Sequence, residues 1–371
     1  MKYFILAGEA SGDKQAALLC KALKFHDPSA KMIGWGGEAM ADTGVTITRH
    51  YRELAFMGFV EVIRHLPQIM RNFKTCRREI LTFQPDALIL VDYPGFNLRM
   101  AKWAQRQGIR VYYYISPQLW AWHTSRVHDI KRAVRRMYVI LPFEKAFYAQ
   151  YGMEVMYIGH PLAKAVSSRS EWKWEPEQKH IALLPGSRKN EIGLILPEMA
   201  RLAERMPDHV FHVAAVPHIP GALYEKWISH LRNVHLVTDG MEGVLRKAEV
   251  AVVTSGTATL ETALYGVPQV VVYKGNQISF QIARRLIRVK YISLVNLIAD
   301  KPLIPELIQH DCTAAQIQMT LTEIRQPDRY TEIVDGYRQI REQLLEGSGP
   351  EEAARDIIGD VQTTHVLGEV Y

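Results

Sequence analysis

Cysteine is scarce in this 371-residue chain: Cys20, Cys76 and Cys312 are odd in number and far apart. Without a C-x-x-C pair, the common zinc and dithiol sites are excluded and a reducing compartment fits. No apolar run approaches the ~18 residues that a membrane-spanning helix needs. The N-terminal run Tyr3-Phe4-Ile5-Leu6-Ala7 stops at Glu9, too short for a secretion signal. Any membrane contact is therefore expected to be peripheral. The dinucleotide fingerprint G-x-G-x-x-G is missing, which speaks against an oxidoreductase, and so is the phosphate loop G-x-x-x-x-G-K-[ST]. There is no Asp-x-Asp triplet to anchor a divalent cation, no common nucleic-acid-reading motif, no internal repeat and no low-complexity tract.

What is present is ordinary globular composition, 48% hydrophobic and 23% charged, with a formal net charge of +6. The basic balance suits an anionic ligand or an anionic membrane surface, and by itself would suit nucleic acid equally. The length favours two domains. Strand signals at 3–7, 32–33, 45–47, 110–115, 137–141 and 155–158 alternate with helical stretches at 14–24 and 60–83. The continuous apolar run Ala87-Leu88-Ile89-Leu90-Val91 reads as a strand buried on both faces of a parallel sheet. Residues 167–179 are polar and without period, with Trp172, Trp174 and Pro176, and read as a linker. The alternation then restarts with strands at 180–184, 210–214, 234–237, 250–254 and 269–273. The expected class is α/β, two doubly wound Rossmann-like domains facing a cleft: an N-terminal domain over 1–166, a C-terminal domain over 167–345, and a helical segment over 346–371.

In such sheets ligands bind beyond the carboxyl ends of strands. Four loops there carry chemistry. Gly8-Glu9-Ala10-Ser11-Gly12-Asp13 offers close backbone approach and a helix start, or simply a turn capped by Ser11 or Asp13. Pro185-Gly186-Ser187-Arg188 would present a capped helix N-terminus and a guanidinium to a diphosphate, or a solvated arginine. Ser255-Gly256-Thr257 prepares a second such helix start, with Glu261 one turn in, where a carboxylate can accept from ribose hydroxyls or merely complement the helix dipole. Two such loops in one domain point to a nucleoside-diphosphate site. The fourth, Asp92-Tyr93-Pro94-Gly95-Phe96-Asn97, puts a carboxylate at a strand end, as a base or as a helix cap.

These pieces, in order with Phe56-Met57-Gly58-Phe59-Val60-Glu61-Val62, Ser116-Pro117-Gln118-Leu119-Trp120-Ala121-Trp122, Leu141-Pro142-Phe143-Glu144, Gly159-His160-Pro161 and Leu294-Val295-Asn296-Leu297, resemble the lipid A disaccharide synthases across most of the chain. The resemblance implies the two-domain glycosyltransferase fold called GT-B, with acceptor bound by the first domain and UDP by the second. It implies inverting transfer of 2,3-diacylglucosamine from its UDP derivative to the 6-hydroxyl of 2,3-diacylglucosamine 1-phosphate. Asp92 would be the general base and Arg188 the stabiliser of the leaving diphosphate. Gly186, Ser187, Arg188, Ser255, Gly256, Thr257, Glu261 and Asn296 would bind UDP, and Glu9, Ser11, Gly12 and Asp13 the acceptor. The chain departs from the family at Gly95, at Lys14-Gln15-Ala16 and at Val295. No cofactor and no metal are expected. Acylated substrates imply a cytoplasmic enzyme, peripheral on the inner face of the bacterial inner membrane. Phe56, Met57, Phe59 and Val60, with Leu54, would form its lipid contact beside the basic residues Arg64, Arg71, Lys74, Arg77 and Arg78. Family likeness also implies a homodimer. Trp120 and Trp122, two apart, would share one face if they lie on a strand. The rival readings are another GT-B UDP-N-acetylglucosamine transferase or epimerase, and a non-catalytic lipid- or nucleotide-binding protein.

Overall fold

The computed structural model describes residues 1–54, 66–122, 124–167, 177–276, 289–347 and 349–368. The apolar runs become the strands of two wholly parallel sheets. The first holds β1 (Lys2–Ala7), β2 (Lys31–Gly36), β3 (Thr46–His50), β4 (Ala87–Val91), β5 (Val111–Tyr114), β6 (Arg136–Val139) and β7 (Met156–Tyr157), in the order β3-β2-β1-β4-β5-β6-β7. The second holds β8 (His180–Leu184), β9 (Val210–Ala214), β10 (Val234–Val237), β11 (Val250–Thr254), β12 (Gln269–Tyr273) and β13 (Glu306–Ile308), in the order β10-β9-β8-β11-β12-β13. Each sheet begins in the middle and reverses direction there, between β1 and β4 and between β8 and β11. Those are the switch points where loops diverge and leave room for a ligand. All four loops singled out from the sequence follow one of these four central strands.

The chain divides into two compact units, residues 1–161 with 346–371, and residues 162–345. In the first, successive β1 side chains go to opposite faces: Tyr3, Ile5 and Ala7 enter one apolar cluster, Phe4 and Leu6 the other. Both faces need cover. Helix Pro350–Gly368 gives part of it, packing on helix Ala10–His26 and adding Ala353, Ala354, Ile357, Ile358 and Val361 to the first cluster. It is fixed by polar contacts as well. The Tyr112 hydroxyl donates to Asp360 at 2.7 Å, the Tyr138 hydroxyl to Asp356 at 2.7 Å, and Arg135 pairs with Asp360.

Several local expectations need correction. The first helix starts at Ala10, a turn earlier than its apolar period suggests, and its N-cap is Glu9 with no side-chain cap, so neither Ser11 nor Asp13 caps it. Leu119–Trp122 is a helical turn, so Trp120 and Trp122 do not share a strand face; Trp120 instead meets the Phe143 ring edge-on at 5.0 Å. Strand β13 carried no signal. Leu54 is 2% exposed and part of the core, not a lipid contact. Phe56, Met57, Phe59, Val60, Arg64 and the linker residues 168–176 lie outside the described residues.

Candidate active site

Strand β4 ends in a strained turn. Asp92 and Tyr93 both hold left-handed backbone, φ 44° and 47°. Two consecutive non-glycine residues there cost about 1 kcal/mol or more each, so the surroundings must impose the shape. They do so through the backbone oxygen of Asp92, which accepts from the Tyr113 hydroxyl at 2.6 Å and from the Asn97 side-chain amide at 2.8 Å. The Tyr93 hydroxyl donates to the Leu54 carbonyl at 3.1 Å. The Tyr93 ring lies flat against Gly8, where a methyl group would come within 2.3 Å of it. Gly8 is thus a packing glycine, needed for the neighbouring loop. Asn97, fully buried, also donates to the Val91 carbonyl at 3.1 Å. The sequence showed it only as part of a motif.

The turn leaves the Asp92 side chain out of capping, because Tyr93 is the N-cap of helix Pro94–Arg106. Burial pushes its carboxyl up to about 6; the Glu9 carboxylate adds to the rise and a Tyr93 backbone hydrogen bond opposes it. Glu9 and Ser11 are exposed beside it, while Gly12 and Asp13 are buried. Asp13, expected to face the acceptor, is spent elsewhere. Its carboxylate accepts from the backbone N–H groups of Gly37 at 2.7 Å, Ala39 at 3.1 Å and Met40 at 3.2 Å. It ties the loop after β2 to the loop after β1.

Three motifs without assigned chemistry follow β5, β6 and β7. Ile115 takes φ 67°, an outlier for a β-branched residue, and delivers Ser116 to the Tyr148 hydroxyl at 2.6 Å. Glu144, 1% exposed, accepts from the N–H groups of Ile140 at 3.2 Å and Leu141 at 2.9 Å, and burial pushes its carboxyl to about 7. Burial likewise pushes His160 down to about 4.

The second unit is built differently. After β8, Gly186 takes φ 115°, and Arg188, not Ser187, is the N-cap of helix Lys189–Arg205. The Glu191 carboxylate accepts from the backbone N–H groups of Ser187 at 3.2 Å and Arg188 at 3.3 Å, and pairs with the Arg188 guanidinium at 2.7 Å. A carboxylate thus already sits where the loop presents donors to an anion. The Arg188 side chain is 75% exposed. After β11, Gly256 and Thr257 are exposed at the start of helix Thr257–Leu264, with Glu261 half-buried one turn on. Ser255 is partly committed, its hydroxyl donating to the Ile292 carbonyl at 2.9 Å. Asn296 needs correcting as a UDP ligand. It is 1% exposed, and its side-chain amide donates to Ile304 and Glu306 and accepts from the Ile304 N–H, all within 2.9 Å. It closes the segment 294–306.

Comparison with solved structures places this architecture. The glycotransferase of kitacinnamycin superposes with a TM-score of 0.66 at 13% identity, covering 97% of this chain and 98% of that one. A Neisseria meningitidis UDP-GlcNAc 2-epimerase bound to UDP-GlcNAc gives 0.63 at 14% identity, covering 98% and 100%. At such identities the likeness is of fold alone, and it defines the class: two Rossmann-like units of the GT-B glycosyltransferase type. Sequence likeness goes further. The family model for lipid-A-disaccharide synthetase matches residues 3–354. The lipid-A-disaccharide synthase of Geobacter sulfurreducens is 36% identical over 366 residues, 95% of each chain, and that of Nitrosococcus oceani 39% over 357 residues, 93% of this chain and 92% of its own. The chain belongs to the lipid-A-disaccharide synthetase family.

Proposed function

We propose that the chain joins two acylated glucosamine units, transferring 2,3-diacylglucosamine from UDP to the 6-hydroxyl of 2,3-diacylglucosamine 1-phosphate and releasing UDP. The full-length family match supports this reaction over epimerisation or simple binding. Family membership implies sugar-nucleotide and lipid-linked glucosamine substrates.

The mechanism rests chiefly on Asp92. A carboxyl with its pKa near 6 is mostly ionised at pH 7 yet more basic than an ordinary aspartate, which suits it to take the proton from the attacking hydroxyl. Asp92 is held chiefly through its backbone oxygen, and its side chain takes one hydrogen bond from the Tyr93 backbone. Glu9, Ser11 and Gly12 line the acceptor side, with Asp13 shaping the loop. In the second unit Gly186, Ser187, Gly256, Thr257 and the Arg188 guanidinium meet the diphosphate, whose negative charge grows as the C1–O bond breaks. Glu261 holds the ribose. Attack opposite the leaving group inverts the anomeric centre without a covalent enzyme intermediate.

Protein cations and helix amides take the place of a divalent ion. Among the described residues, no group of His, Cys, Asp and Glu is placed to hold a metal, and no helix is long and apolar enough to cross a membrane. We assign the chain to the cytoplasmic face of the inner membrane, in peripheral contact with an anionic surface, as a homodimer. Salt-insensitive retention on vesicles would count against the electrostatic part of that contact, and a monomeric mass in solution against the dimer.

The experiment is UDP release from the donor with and without acceptor, in wild type and Asp92→Ala, repeated in excess EDTA. Acceptor-dependent release lost in Asp92→Ala, by about 10²-fold or more, is expected. Full activity of the variant would remove Asp92 as the base. Loss in EDTA restored by magnesium would remove the metal-free mechanism.

A further inference from the structure

Helices Leu66–Phe83 and Pro94–Arg106 cover the same face of the first sheet, sending Phe73, Cys76 and Ile80, and Phe96, Met100 and Ala104, into one apolar cluster. A groove of about 660 Å³ opens beside them, lined by Met70, Arg71, Phe73, Lys74, Arg77 and Arg99. A smaller hollow of about 240 Å³ shares Arg99 and reaches Pro94 and Gly95, next to the Asp92–Tyr93 turn. A row of rings joins turn to groove: Tyr93 to Phe96 at 6.0 Å, then Phe96 stacked on Phe73 at 4.1 Å. Two guanidiniums lie over Phe73, Arg77 at 6.0 Å and Arg99 at 5.9 Å.

The charge in this groove is unbalanced. Among the described residues, Arg71, Lys74, Arg77 and Arg99 have no carboxylate within ion-pair distance, and the Arg77 Nε is buried without an acceptor. The acid of the adjoining hollow, Asp129, is already taken by Lys102 at 2.8 Å and Arg132 at 3.3 Å. Several cations around one partly enclosed space repel one another, and a buried donor without an acceptor is costly; a multivalent oxyanion relieves both. The reaction proposed above has two anionic groups to place. The donor diphosphate has Arg188. The acceptor phosphate has no cation in the loops around Asp92, whose charged side chains Glu9, Asp13 and Asp92 are all acidic.

We propose that this groove receives the acceptor lipid, with Arg77 and Arg99 binding its phosphate monoester and Met70 and Phe73 bordering an acyl chain. The inference rests on the proposed reaction for its choice of ligand. Guanidiniums suit the role because their fork of donors matches a phosphate and their planes tolerate an aromatic floor. Bound there, the phosphate would turn the acceptor's sugar toward the Asp92 turn along the ridge of rings.

The test compares wild type with the double variant Arg77→Gln/Arg99→Gln, using acceptor with and without its phosphate in neutral-detergent micelles. Equilibrium binding and turnover are both measured. The double variant is expected to bind phosphorylated acceptor about tenfold or more weakly, with a matching rise in acceptor KM. The donor KM and the kcat at saturating acceptor should not change. Its preference for phosphorylated over unphosphorylated acceptor should vanish, and Arg77→Lys/Arg99→Lys should recover part of it. A double variant that keeps the wild-type preference overturns the proposal. So does one that loses only its sedimentation with vesicles of phosphatidylglycerol and phosphatidylcholine, because the groove would then serve bilayer lipid. Binding is read independently of turnover. Wild type that binds phosphorylated acceptor but releases no UDP would sink the proposed reaction and leave the groove to be judged by the binding data.

Discussion

The two units share one plan, a parallel sheet with its ligand loops at a central switch point, yet they make opposite use of it. The loop after β4 takes a carboxyl out of water and raises its pKa by burial and by a neighbouring acid. The loop after β8 leaves a guanidinium 75% exposed, with a carboxylate resting on the same amides. The first arrangement favours proton transfer, because a desolvated carboxylate is a stronger base. The second favours binding, because an exposed cation at a helix start can exchange its counter-charge. Identical strand–turn–helix hardware thus buries a carboxyl in one unit and exposes a guanidinium in the other, and the choice lies in one or two residues per loop.

That contrast can be broken in graded ways. Arg188→Ala should lower kcat/KM by about 10²–10³ with the fold intact by circular dichroism; a loss below threefold would end its assignment to the leaving group. Asn296→Ala should cost about 2–4 kcal/mol of stability in urea unfolding, because it leaves the buried N–H and carbonyl of Ile304 without their amide partner, while donor KM in the folded fraction stays near wild type. A raised donor KM at unchanged stability would restore Asn296 as a ligand. Asp92→Asn should be inactive but more stable than wild type by up to about 3 kcal/mol at pH 8. The sign follows from the raised pKa. Between the ordinary carboxyl range and about 6 the folded chain keeps a proton that the unfolded chain has released, so wild-type stability falls as pH rises through that window and stays lower above it. Equal stability of the two proteins at pH 8 would contradict the burial cost. Glu9→Gln should have the smallest effect, moving the acid limb of kcat/KM down from about 6 by less than about one unit; an unmoved limb would mean that burial alone sets the Asp92 pKa.

The central strands were legible because a strand buried on both faces must be apolar throughout, as Ala87–Val91 and Val250–Thr254 are. Strand β13 was not, since three residues at a sheet edge, one of them Glu306, carry no period. The start of helix Ala10–His26 was misplaced because Ala10-Ser11-Gly12-Asp13 has turn composition; what holds it helical is packing. Among the candidate residues, those placed by local backbone could be located from spacing: Asp92 at a strand end, Arg188 and Gly256 at helix starts. Those whose partners lie far along the chain could not. Nothing near Asp13 announces Gly37 and Met40, and nothing near Asn296 says that its amide will be consumed by Ile304 and Glu306. The groove cations Arg71, Lys74 and Arg77 read as a basic face beside a lipid contact for the same reason, since Arg99 joins them only in the fold.

Helix Pro350–Gly368 also has a consequence in time. It supplies Ala353, Ile357 and Val361 to the core of the first unit, although the whole second unit, residues 162–345, stands between it and the strands it covers. During synthesis the sheet that carries Asp92 therefore waits, with helix Ala10–His26 lacking the helix that packs on it, until the second unit has emerged from the ribosome. The second unit is contiguous and free to fold as it is made. The part of the chain made first is the part completed last, and a nascent chain stalled before residue 350 would hold a finished second unit and an open first one.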